Sequence, residues 1–384
     1  MKYMGSKRWM LRNGLGHVIQ EEITTAGRFV DLFTGSGAVA QFAATAEHSI
    51  EVRAYDLQLF SVILADAVIA RDAAVDPSEI WKAWLQRATQ HLRSHKREAT
   101  ALQPIPMPGK FTRLHVENIR QQCAAETAFH VTAAYGGHYF SRSQALWIDA
   151  LRQALPNQPI FRTSALAALV QAASQCAASP GHTAQPFQPT QGAKKFIYEA
   201  WQRNIVTMTE AALKRIAIMH ANKCGGAKVN DANTAAGELK ENDLVFMDPP
   251  YSGVHYSRFY HVLETIAEGE RQTVSGIGRY PPSEKRPRSK YSVKTESANA
   301  LDDLLKKIAA KGARGLLTFP EHDCSNGLSG EIVETTAARY FKVKRKSVEN
   351  RFSTLGGTKS STGAGYGRAA RQKANELIFV LTPR

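Results

Sequence analysis

The decapeptide Asn242–Tyr251 (NDLVFMDPPY) runs an apolar segment straight into Asp248-Pro249-Pro250-Tyr251, and these four residue types together suit one kind of chemistry. A carboxylate, Asp248, and a backbone carbonyl, that of Pro249, can each accept one hydrogen of an aromatic amino group. Such an amine is a poor nucleophile, because its lone pair is delocalised into the ring. Gripped by two acceptors, it is drawn toward tetrahedral geometry with the lone pair aimed at an electrophile such as a sulfonium methyl. The prolines hold the carbonyl in place, since their rings fix φ near about −65°. Tyr251 adds a flat face on which an extruded base can stack.

A second group of residues suits a nucleotide-like cofactor. Val30–Ala40 (VDLFTGSGAVA) reads as the end of a strand, a turn of G-x-G-x-x-A type and the start of a helix. Glycines at Gly35 and Gly37 let the backbone approach a ligand closely and aim helix N–H groups at it. Asp56 follows at the end of the next strand and can accept both hydroxyls of a ribose. The pattern fits a dinucleotide, and it fits S-adenosylmethionine equally, which carries the same adenosine. Other chemistry finds little support. His255 and His261 have no third ligand near them, and Cys123, Cys176, Cys224 and Cys324 form no CxxC pair, so no metal is expected. Ser141 and Ser143 lack a G-x-S-x-G setting. Glu321-His322-Asp323-Cys324 reads as a loop at a strand's end.

These residues need a sheet to carry them. Arg28–Leu32 and Ile50–Tyr55 read as strands, with a helix over Ala38–Ala46 between them. Gln58–Ala74 and Ser78–His95 show helical spacing. Lys194–His220 reads as one long amphipathic helix, followed by strands at Lys228–Val229, Leu244–Met247, Gly315–Phe319 and Glu376–Leu381. Strands alternating with helices imply an α/β sheet covered on both faces. At 384 residues the chain is long enough for two domains. Between Gln103 and Pro189 the pattern changes and Pro-rich stretches flank it, which predicts an inserted, smaller, mostly helical domain over 101–190. Residues 1–100 and 191–384 then form a discontinuous α/β domain.

The charge points to a polyanion. Lys and Arg number 49 against 34 Asp and Glu, a formal charge of +15. Two stretches, Arg279–Lys294 (+5) and Arg339–Lys373 (+9), hold nearly all of it. Both contain aromatics with Pro or Gly, the composition of flexible loops that meet phosphates and stack on bases. No run approaches the ~18 apolar residues of a spanning helix, and the N-terminus has no apolar signal core. A reducing cytoplasm is the expected location, with no membrane partner.

The order of these elements resembles that of the Dam-like, alpha-group DNA adenine-N6 methyltransferases. In that family a K-x-x-G-x-K element, F-x-G-x-G, an acidic strand end, a recognition insert and DPPY follow one another. Here they are Lys2-Tyr3-Met4-Gly5-Ser6-Lys7, Phe33–Gly37, Asp56, the region of roughly 100–190, and Asp248–Tyr251. Asp231 stands where the family places an acid that reads the cofactor's adenine, and Asn375–Leu381 resembles the late strand of the fold. The resemblance implies a Rossmann-like S-adenosylmethionine-dependent methyltransferase sheet. It implies Asp248, Pro249, Pro250 and Tyr251 as catalytic residues. Lys2, Tyr3, Lys7, Asp31, Phe33, Thr34, Gly35, Gly37, Asp56, Asp231 and Asp248 are the implied cofactor contacts, with Lys7 or Lys2 near its methionine end.

The implied substrate is a flipped adenine in double-stranded DNA, within restriction-modification or genome marking, with a cognate restriction enzyme as a partner. The run Tyr256–His261 (YSRFYH) has a counterpart in restriction-associated relatives. It reads either as a mobile segment closing on the base or as an amphipathic helix burying Phe259, Val262 and Ile266. Tyr256, Arg258, Arg279, Lys285, Arg286, Arg288 and Lys290 are the DNA-contact candidates. RNA adenine and cytosine N4 are alternative substrates. A NAD-type oxidoreductase is a more distant one, since it explains neither DPPY nor the concentrated charge.

Overall fold

Seven strands and their flanking helices carry the candidate residues in the computed structural model, which describes residues 7–97, 111–353 and 371–384. The strands are β1 (Arg28–Asp31), β2 (Glu51–Asp56), β3 (Gly226–Val229), β4 (Asp243–Met247), β5 (Arg314–Pro320), β6 (Phe341–Ser353) and β7 (Arg371–Pro383). They form one sheet in the order β3-β2-β1-β4-β5-β7-β6. The first five pair in parallel; β7 is antiparallel to both β5 and β6.

The central strand β4 is buried throughout, as a continuous apolar run demands. Its alternate residues serve opposite faces. Val245 and Met247 join a core with Leu301, Leu304, Leu305 and Ile308 of the helix Ser297–Ala310. Phe246 points the other way and stacks on Phe29 of β1, with ring centroids 6.4 Å apart. Asp243 opens the strand as a buried carboxylate, taken by the guanidinium fork of Arg28 at 2.9 and 2.6 Å.

The chain divides into two compact units. The sheet unit comprises Tyr3–Leu57, Ala221–His255 and Arg288–Arg384; the helical unit comprises Gln58–His220 and Tyr256–Pro287. The helical unit therefore begins about 40 residues before the expected insert and also takes in the segment after DPPY. At its centre lies Pro159–Cys176, rich in alanine and buried over most of its length. Around it pack Leu59–Ile69, Arg142–Gln153, Ile205–Ala217 and Tyr256–Glu268, and Pro77–Ser94 packs in turn on Arg142–Gln153 and Ile205–Ala217. Two buried carboxylates fasten helix starts. Glu264 accepts the N–H groups of Leu59 and Phe60, and Asp149 accepts those of Val131 and Thr132. Among the described residues no helix is long and apolar enough to cross a membrane.

Two expectations are corrected. Lys194–His220 is two helices, Lys194–Trp201 and Ile205–Ala217. The buried amide of Gln144 donates to the carbonyls of Ala200 and Arg203, capping the end of the first. The Asn204 side chain accepts from Val206 and Thr207, starting the second. Hydrophobic spacing does not register either cap. The basic stretch Arg339–Lys373, read as a flexible loop, instead contributes β6 and the start of β7, with residues 354–370 outside the described part. Lys342 and Lys344 are exposed on β6, the outermost strand, where lysines deter a foreign strand from pairing.

Asn204→Ala removes two capped N–H groups and should cost about 1 kcal/mol. A lower urea midpoint at unchanged slope for the helical unit is the expected reading; an unmoved midpoint would show that Gln144 alone sets the break.

Candidate active site

The sheet order reverses direction at β1, which has β2 on one side and β4 on the other. The carboxyl ends of strands at such a point form the crevice where open α/β sheets take ligands. Asp31 of β1 pairs with Phe246 of β4, so the turn Leu32–Gly37 and Asp248 leave adjacent strand ends. Asp56 ends β2, and the next strand's exit follows directly, with Asn230 donating its N–H to the Asp56 carbonyl at 3.0 Å.

Gly35 and Gly37 have φ of +51° and +74°, the left-handed region that favours glycine. The turn they make sends the Gly35 N–H to Asp56 Oδ2 at 2.8 Å, fixing that carboxylate beside the loop. Thr34 is buried, its N–H bonded to the Tyr55 carbonyl. The ring of Phe33 meets the buried Tyr291 edge-on, centroids 5.0 Å apart. Asp31 accepts the Phe33 N–H through Oδ1, while its Oδ2 is buried without a hydrogen-bond partner. Burial above all, then the nearby charges of Asp248 and Asp56, outweigh that bond and a weaker pull from the Ala40 N–H, and push Asp31 up to about 8. Asp231 caps the short helix Ala232–Ala235 through Oδ1.

Asp248 is held from two directions at one oxygen. Lys7 Nζ lies 2.9 Å from Oδ1, and Thr318 Oγ1 of β5 donates to the same atom at 2.9 Å. Lys7 also pairs with Glu376 of β7, and the two side chains are only 5% and 9% exposed. Burial would weaken the Lys7 ammonium, but Asp248 and Glu376 outweigh it and raise its pKa. Burial likewise lifts Asp248, Lys7 opposes it and Glu376 adds to it, leaving Asp248 at about 6. The loop beyond is braced too. Asn326 Nδ2 donates to the carbonyls of Pro250 and Tyr291, and the Gly253 N–H donates to Ser325 Oγ. Tyr251 is half-buried against the sheet's core.

Thr318, Asn326, Tyr291 and Glu376 escaped the sequence reading. The available signal was a polar residue inside an apolar strand, as in GLLTF and NELIFVL. Lys2 and Tyr3 lie outside the described residues.

The DNA-contact candidates are divided. Tyr256 opens the helix Tyr256–Glu268, which buries Phe259, Val262 and Ile266, so the amphipathic-helix reading describes this segment. Arg258 lies over the Tyr280 ring at 4.7 Å from its centroid, with Arg286 near the same ring at 5.6 Å. Lys285 and Lys290 are exposed, and Arg288 forms an exposed pair with Glu296. Arg279 is spent internally, donating to the carbonyls of Ala134 and Ala133. Rather than a loose loop, Arg279–Lys294 contains the 3₁₀ turns Ser283–Lys285 and Lys290–Ser292.

A sheet of this order, with a glycine turn after β1 and DPPY after β4, defines the methyltransferase class of α/β proteins. Residues 3–315 match the model of the D12 class N6 adenine-specific DNA methyltransferases, and the chain belongs to that family. It is 24% identical to Modification methylase StsI of Streptococcus sanguinis, over 80% of this chain and 42% of that protein. It is 24% identical to Modification methylase LlaI of Lactococcus lactis subsp. lactis, over 80% and 44%. For Type II methyltransferase M.FokI of Planomicrobium okeanokoites the identity is 26%, over 84% and 46%. The chain thus spans less than half the length of these relatives.

Asp31 yields a stability prediction. Its folded pKa lies above the unfolded one, so the folded protein keeps a proton that the unfolded chain has lost. The stability it confers is full below about pH 4 and declines as pH rises to about 8. Asp31→Asn should abolish that decline, gaining about 1 kcal/mol or more over wild type at pH 8 compared with pH 5. Parallel melting-temperature curves for the two proteins across this range would rule out a neutral buried acid.

Proposed function

We propose that this chain is an S-adenosylmethionine-dependent, site-specific DNA methyltransferase that modifies N6 of adenine in duplex DNA. The observation that carries the reading is the grip on Asp248. Both Lys7 and Thr318 approach Oδ1, which turns Oδ2 over to a substrate's amino hydrogen. The strand ends suit a cationic nucleoside cofactor. Asp31 offers a buried oxygen that no protein group bonds at normal hydrogen-bond geometry, and Asp231, Asp56, Asp31 and Asp248 stand in that order along the sheet edge. Asp31 would meet the ammonium of the methionine end, Asp56 the ribose, and Asp231 with Phe33 the adenine. When bound, S-adenosylmethionine supplies a methyl group made electrophilic by its sulfonium.

The remaining steps belong to the chain. Asp248 Oδ2 and the Pro249 carbonyl accept the two N6 hydrogens and localise the lone pair. Tyr251, backed by the sheet's core, stacks on the extruded base. Nitrogen that has gained a methyl group carries one proton too many. Asp248, lifted to about 6, is a base strong enough to take it near neutral pH. Arg258, Lys285, Arg286, Arg288 and Lys290 supply phosphate contacts, and Arg279 supports the loop that bears them. Two of the relatives are called modification methylases and the third a type II methyltransferase, and we extend to this chain a cytoplasmic role alongside a cognate restriction enzyme.

Labelled S-adenosylmethionine incubated with mixed duplex DNA, then digested to nucleosides, should place the label on N6 of deoxyadenosine. Label on deoxycytidine, or only in RNA, would overturn the base or polymer assignment. Asp248→Asn should lose about 10²-fold or more in transfer while still binding the cofactor. In wild type the rate should climb as pH rises through about 6, since the carboxylate is the working form.

For DNA binding, each phosphate contact contributes a slope of about −0.9 in log K against log salt. Neutralising Lys285, Arg286 and Arg288 together should flatten that slope by roughly 1.8–2.7, alike on target and non-target DNA. An unchanged slope would return this loop to the solvated surface.

A further inference from the structure

The three charges at the site do not balance, and the imbalance has a use. Lys7 touches Asp248 Oδ1 at 2.9 Å and pairs as well with Glu376, all three side chains being 16% exposed or less. Glu376 arrives from β7, opposite Pro320 in the antiparallel register, two residues from the level of Thr318. It lies beyond residues 3–315, so the family match does not account for it. An ammonium and one carboxylate alone would form a neutral pair. Asp248 would then present no net charge to a reaction that shifts positive charge from a sulfonium onto N6. With Glu376 on the same ammonium the cluster carries one net negative charge.

Resting on the methyltransferase reading, we propose that Glu376 is a positioning residue of the transfer site. By engaging Lys7, it leaves the negative charge of Asp248 uncompensated before the amino group. Lys7 is thereby the clamp that fixes Oδ1, and Glu376 cancels the electrostatic cost of the clamp. Preorganised charge aimed at the atom where opposite charge develops is a large source of rate in enzyme sites. The groups facing Asp248 come from four elements: Lys7 before the first helix, Asp31 on β1, Thr318 on β5 and Glu376 on β7. Cys324 and Asn375 lie near Glu376 and Glu321 respectively and bring no cation to the cluster.

The test separates charge from shape. Glu376→Gln keeps the shape and loses the charge; Glu376→Asp keeps the charge and shortens the reach. The Gln variant should lose about tenfold or more in kcat at unchanged KM for S-adenosylmethionine. Its acid-limb midpoint should move to lower pH, because Glu376 raises the proton affinity of Asp248. The Asp variant should keep the wild-type midpoint. Should Glu376→Gln fail to fold, the double variant Lys7→Met with Glu376→Gln serves instead. With the stronger influence of Lys7 also gone, its midpoint should lie above that of wild type.

A Gln variant with the wild-type midpoint, or an Asp variant as impaired as Gln, would overturn the proposal. If wild type transfers no methyl group to any nucleic acid, the functional reading fails. The Asp248 titration, followed by carboxyl ¹³C shifts and assigned with Asp248→Asn, still tests the cluster itself. There Glu376→Gln must lower the Asp248 midpoint for the inference to stand.

Discussion

A lysine ammonium held between two carboxylates joins residues 7, 248 and 376, and the rest of the sheet unit is arranged around that meeting. Burying one cation and two anions is costly unless each finds partners. The sheet supplies them through its order. β4 lies between β1 and β5, and β7 runs antiparallel beside β5, so Asp248, Thr318 and Glu376 converge at one edge. A parallel final strand would have delivered its opposite end there. The reversed strand thus has a chemical as well as a structural consequence, since it brings the start of β7 beside the ends of β4 and β5.

The same edge shows two ways of managing an acidic residue. Asp56 is satisfied by the Gly35 N–H of the turn it supports. Asp31, one strand over, keeps a buried oxygen without a donor and is pushed toward its neutral form. A protein that binds no cation at this edge would gain by replacing Asp31 with an apolar residue.

Much of this could be read from the sequence, for identifiable reasons. β1, β2 and β4 are short apolar runs ending in Asp or glycine turns, and the strand ends at a sheet's switch point are where open α/β sheets take ligands. DPPY and FTGSG were legible because the backbone must take special shapes there. Thr318 and Glu376 were not, because their meaning depends on which strands become neighbours, and no local pattern states that. The break after Trp201 was hidden for a related reason, as Gln144, which caps it, lies more than 50 residues away. The charge of Arg339–Lys373 misled because a basic outer strand and a basic loop have the same composition.

The boundaries of the two units have a consequence for how the molecule is made. The helical unit receives its last piece, Tyr256–Pro287, only after β3 and β4 have been synthesised. That piece carries Glu264, which caps the helix beginning at Leu59. Some 200 residues must therefore emerge before the first helix of the unit acquires its cap. The sheet unit waits longer, since Glu376 lies 369 residues beyond the Lys7 it pairs with. Interlaced segments of this kind give contacts of high sequence separation, which slow folding. They also mean that neither unit is encoded by a contiguous piece of the gene, so the pair is inherited as one.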